Sequence, residues 1–151
     1  MSSRFNFIRV IQNIREVKRV LPPILANDAK RYFLDSFRKS GWDSVPWKTP
    51  ERKIPGTGAY KYPKKGADAR HTRATLVQSG RLRRAVADST REVDFNQIRF
   101  VVDLPYAAVH NYGGDLKHGK MPQRKYMGDS PILRLQQIEK IKKVVDRIWQ
   151  V

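Results

Sequence analysis

The chain has 151 residues, 40% of them hydrophobic, enough for one domain with a modest core. Lys and Arg number 31 against 14 Asp and Glu, a net +17 that opposes compact folding and favours an anionic partner or a larger assembly. The absence of cysteine excludes disulfides, thiolate metal sites and cysteine nucleophiles, and fits a reducing cytoplasm.

The first predicted element is a helix over 5–21, within an N-terminal segment 1–23. Phe7, Val10, Ile14, Val17 and Leu21 recur at helical spacing on one stripe. Pro22-Pro23 is expected to end it, because proline lacks the donor and disfavours helix at the residue before it. A second helix is expected over 24–39, with Ala26, Ala29, Phe33 and Phe37 on one face and Ser40-Gly41 as its stop. This N-terminal stretch lacks the unbroken apolar core of a secretory signal. No apolar run approaches the roughly 20 residues that span a bilayer, so no membrane association is expected.

Residues 40–71 read as a long basic loop, rich in Gly and Pro and poor in periodicity, with Trp42 and Trp47 placed to pin its start to the core. Between Lys48 and Arg84 lie 11 basic and 2 acidic residues, so +9 of the +17 is concentrated there. A short helix follows, capped by Ser79, with Leu82, Ala85 and Val86 as its apolar face. Alternation through Val93, Phe95, Ile98, Phe100, Val102 and Leu104 predicts a hairpin over 91–104 that turns at Asn96-Gln97. Pro105 is expected at the first position of a short helix over 106–112, closed by Gly113-Gly114. After a loop to Gly128, Ser130 caps a last helix whose apolar face holds Leu135, Ile138, Ile141, Val145, Ile148 and Trp149. The expected fold class is α+β in a single domain, 1–151: N-terminal helices, a small antiparallel sheet with a hairpin, the long basic loop and a C-terminal helix.

Catalytic and metal chemistry finds little support. His71, His110 and His118 match no ligand spacing, even with Asp115 added. A Ser79–His110–Asp103 triple can be written down, but no nucleophile elbow accompanies it. Gly56-Thr57-Gly58 lacks the Lys-Ser/Thr and helix of a phosphate loop. The expectation is therefore a non-enzyme with no cofactor and no metal. In the basic loop, Lys48, Arg52, Lys53, Lys61, Lys64, Lys65, Arg70 and Arg73 surround Tyr60 and Tyr62, a pattern that suits phosphate neutralisation and base stacking. A basic nucleic-acid-binding module is thus one reading. Arg124 lies in a segment suited to an extended arm and can pair with a carboxylate of this or another subunit.

The stretch LVQSGRLRRAV (76–86) is followed by YAAVHNYGG (106–114) and MPQRKYMGDSP (121–131). This ordered set resembles the phage virion-morphogenesis and tail-completion proteins, including those of Mu-like phages. It covers roughly 24–150, with Trp47 and Thr49 similar to that family's Trp-rich loop. The resemblance implies a tail terminator or head–tail joining (neck) component, assembled in the bacterial cytoplasm and resident in the virion. It implies a homo-oligomeric ring of about six subunits, with tail tube and head connector proteins as partners and packaged DNA as a further contact. The candidate interface residues are Trp47, the basic and tyrosine residues of the loop, Tyr106, His110, Arg124 and Tyr126.

Overall fold

A computed structural model describes residues 6–62, 71–117 and 119–150. The fold is α+β, with long helices at both ends and, among the described residues, three separate two-stranded antiparallel hairpins between them. The chain divides into two compact units, each assembled from separated stretches.

The first helix, α1, runs unbroken over Phe7–Lys39, through Pro22 and Pro23. The expectation of two helices is corrected. The prolines remove the N–H groups that would have bonded the carbonyls of Lys18 and Arg19. Both of those residues are exposed, on the side of the helix where water can take the place of the lost donors. Leu21 just before the dipeptide and Ala26, Ala29, Phe33 and Phe37 after it are all buried, which holds the helix on both sides. The N-terminal stripe is less complete than its spacing suggests, since Phe7, Ile8, Ile11 and Ile14 remain exposed.

The first unit takes its described residues from Met1–Arg31, Thr90–Val101 and Asp129–Val151. Strands β3 (Thr90–Val93) and β4 (Ile98–Phe100) form its hairpin. The turn is longer than the expected Asn96-Gln97: Asp94 Oδ1 accepts from the N–H of both Asn96 and Gln97, and residues 101–104 form no strand. The terminal helix, α5 (Pro131–Trp149), begins as its sequence predicts. Ser130 Oγ accepts from Leu133 N at 3.0 Å and Pro131 opens the helix. It buries Leu133 and Val144, half-buries Ile141, Val145 and Ile148, and leaves Leu135 exposed. Lys140 pairs with Asp28 of α1 at 3.3 Å.

The second unit comprises Tyr32–Ser89 and Val102–Gly128. Its described residues between 40 and 71 are not a featureless loop. Strands β1 (Gly41–Trp42) and β2 (Val45–Pro46) form a tight hairpin. Asp43 and Ser44, both at positive φ, make its turn. Gly41 is required there, since a Cβ would sit 2.7 Å from the Val45 carbonyl oxygen. A 3-10 turn covers Glu51–Lys53, and helix α2 (Gly58–Lys61) is capped by the Thr57 hydroxyl. Elements this short leave no periodic signature. Helix α3 (Arg81–Ala87) starts from Gly80 in the left-handed conformation, not from Ser79 as its cap. Helix α4 (Ala107–Tyr112) has Tyr106 as its cap, so Pro105 lies before the helix, in the turn closed by Ala107 N donating to Leu104 O. Strands β5 (Gly114–Leu116) and β6 (Gly119–Met121) make the last hairpin. The core of this unit is aromatic: Phe33 stacks on Trp42, and Phe37 meets both Trp47 and Tyr126.

Candidate anion-binding cleft

The backbone after β6 continues as an arm, neither helix nor strand, from Pro122 to Met127. It is clipped to α4 at successive points. Arg124 N donates to His110 O at 2.8 Å, and Tyr126 N donates to Asn111 Oδ1 at 2.9 Å. Asn111 Nδ2 donates back to Met127 O at 3.0 Å, and the Tyr126 hydroxyl donates to Ala107 O at 3.0 Å. On the other side, Trp47 Nε1 donates to Lys125 O at 2.8 Å. Burial alternates along it, with Arg124 and Tyr126 buried and Gln123 and Lys125 more exposed. Arg124 and Tyr126 point inward, while the Lys125 ammonium lies 5.0 Å from the Trp42 ring centroid.

Beside this arm the second unit carries a cleft of about 870 Å³, lined by the stretch from Lys48 to Arg52, the segment before α3, α4 and β6. Lys48, Arg52, Arg73, Arg81, Lys120 and Arg124 line it, against Glu51 as the only carboxylate among its described lining residues. Arg124 is the most buried of these cations, at 8% exposure. Its Nε and Nη2 donate to Lys48 O at 3.4 and 3.3 Å, and Nη1 reaches Met121 Sδ at 3.6 Å. No carboxylate among the described residues pairs with it. Burial lowers its pKa, the signature of a cation held in poor solvation.

His110 lines the cleft with its Nδ1 buried and without a hydrogen-bond partner among the described residues. Burial, and then the charge of Arg124, lowers its pKa, so at neutral pH the imidazole is neutral beside a charged guanidinium. Tyr106 meets it edge-on at 5.9 Å. Ser79 also lines the cleft, but Asp103 does not, and the unpartnered Nδ1 leaves His110 without the orienting carboxylate a hydrolytic triad needs. Among the described residues no three His, Asp or Glu side chains gather as a metal site. No helix among them is long and apolar enough to cross a membrane.

The candidates from sequence separate into four groups. Arg73, Tyr106, His110 and Arg124 come together on the cleft. Trp47 and Tyr126 are core residues that hold the arm, so they are not free to face another subunit. Tyr60 packs on His71 at 4.3 Å, and Lys53, Lys61 and Tyr62 lie near it in sequence but not on the cleft, with Tyr62 80% exposed. Lys64, Lys65 and Arg70 lie outside the described residues, as does His118. Sequence reasoning missed Asn111, the clamp of the arm, whose only local signal is a weak helix former inside a very short helix. It also missed Arg81 and Lys120 as cleft cations, while Lys48 and Arg52 of the basic loop do line the cleft. Leu76, another lining residue, adopts φ 61°, a strained backbone for a bulky side chain.

No protein-family model, no curated protein and no solved structure matches the chain.

Proposed function

We propose that this chain is a structural component of a tailed-phage virion, completing the tail or joining tail to head, rather than an enzyme. One observation carries the reading. The second and third segments that resemble the tail-completion family are locked to each other, through Asn111, Tyr126 and the Ala107 carbonyl. Their distinctive residues thus act as scaffolding that presents a basic cleft, as an assembly protein requires. The proposal includes a homo-oligomeric ring and contacts with tail tube and head connector proteins at the head–tail junction.

Inactivating the gene in the genome that carries it, then imaging the induced lysate, tests this. Filled heads beside unjoined or irregular tails are expected. Intact infectious particles, or no particles of any kind in the parent, would sink the reading.

A second reading, a nucleic-acid-binding module, draws on Lys61 and Tyr62, both exposed at the end of α2, where a base can stack beside a cation. Duplex or single-strand binding that weakens steeply with salt, and is lost in Tyr62→Ala, would favour it.

A further inference from the structure

We propose that the cleft of the second unit receives a carboxylate side chain presented by an acidic segment of a partner protein. This rests on the cleft's own chemistry and does not require the virion reading.

A guanidinium has five N–H donors and no acceptor. In Arg124, two are engaged with the Lys48 carbonyl and one touches a thioether. One N–H on each terminal nitrogen is left over, which matches the two oxygens of a carboxylate. Burying a cation without a counter-ion is costly, and the cost is offset when an anion arrives.

The burial of Arg124 selects the kind of anion. A side-chain carboxylate is a terminal group on a short tether and reaches a donor as enclosed as Arg124. A nucleic-acid phosphate is flanked by sugars on both sides and suits open, exposed cations. Lys120, with its side chain 88% exposed, is of that open kind, but Arg124 is not. Cations with little enclosure around an enclosed one steer a flexible acidic segment towards a single anchoring residue. The neutral His110 beside it adds no competing charge and leaves a ring nitrogen unpartnered.

A second copy of the chain is not the preferred occupant of the cleft. The chain has 14 acidic residues against 31 basic ones and so offers few carboxylates of its own, whereas an acidic segment complements the six cations that line the cleft, of which Lys120 also meets Asp115 at 3.8 Å.

The test uses the full chain and a fluorescein-labelled oligoglutamate peptide, read by anisotropy. Lys120→Glu and Lys142→Glu change the net charge equally, but only Lys120 lines the cleft. Lys120→Glu is expected to weaken binding about tenfold and Lys142→Glu less than about twofold, because rim charges act locally in salt. Arg124→Lys keeps the charge and loses the fork, and a similar tenfold loss is expected. Should that variant lose cooperative unfolding in urea, the Lys120 and Lys142 pair decides the matter. Absent peptide binding, or equal losses from Lys120→Glu and Lys142→Glu, would overturn the proposal. So would a DNA duplex that displaces the peptide and depends more strongly on Lys120, which would make the cleft a nucleic-acid site.

Discussion

Asn111 holds Tyr126 and its neighbour by their backbone: its Oδ1 accepts from Tyr126 N at 2.9 Å and Met127 N at 3.2 Å, while its Nδ2 donates to Met127 O. At 4% exposure, Asn111 leaves no room for water to take over these bonds. Asn111→Ala therefore strands two donors and an acceptor, at about 1–3 kcal/mol for each buried group left unmade. A loss of about 3 kcal/mol in urea unfolding is expected. Asn111→Asp keeps the acceptor and should cost less. An alanine variant within about 0.5 kcal/mol of the parent would show that the clamp does not hold the arm.

Gly113 stands where the arm crosses the end of α4. Its backbone is at φ 74° and ψ −177°, and an added Cβ would lie 3.0 Å from Gln123 N and 3.1 Å from Met121 O. Backbone cannot swing away as a side chain does. Gly113→Ala is expected to cost about 1–3 kcal/mol through strain, and to lower affinity for the oligoglutamate peptide by shifting Arg124. Gly58→Ala is the control, since it adds a Cβ in open space and is expected to be near neutral. Equal effects of the two substitutions would remove the close approach as the cause.

Local chemistry made some of this legible in the sequence. Ser130 and Pro131 announce α5 because a cap and a first-turn proline act within four residues of each other. The β3–β4 hairpin is visible because alternation is a local pattern. The cleft was not legible, because it joins Lys48, Arg81, His110 and Arg124 from stretches far apart in the chain. Basic concentration pointed to its neighbourhood, while the enclosure of Arg124 depends on the Lys48 carbonyl reached only after folding.

The two titratable residues of this region give opposite pH dependences. Burial, then the neighbouring tyrosines Tyr112 and Tyr106, pushes the Tyr126 phenol up to about 12. The unfolded phenol ionises near 10, so this contribution is complete below that pH and is lost as pH rises towards 12. His110 is lowered from 6.5, mainly by burial and then by Arg124. Below about 6.5 the unfolded imidazole binds a proton that the folded one refuses, so stability falls as pH falls from there towards the lowered value. Urea titrations across both ranges should show Tyr126→Phe losing the alkaline slope and His110→Gln losing part of the acid slope. Unchanged slopes in the variants would assign the pH dependence to other groups.

The prolines of α1 offer the last test, and it turns on water. Pro23 is exposed, and the carbonyl of Arg19 that it leaves unbonded belongs to an exposed residue. A proline in a helix interior costs about 3 kcal/mol relative to alanine, from the lost bond and the ring clash. Solvation of the freed carbonyl recovers part of that. Pro23→Ala should therefore stabilise the chain by about 1–2 kcal/mol. Pro22 is buried, so Pro22→Ala gives up packing as it regains a hydrogen bond and should gain less. Thermal unfolding of the two variants separates the effects. If Pro23→Ala left the midpoint unchanged, the helix would be accommodating the dipeptide without strain. Leu21 and Ala26, buried on either side of it, would then be the stronger explanation for a helix that two consecutive prolines fail to stop.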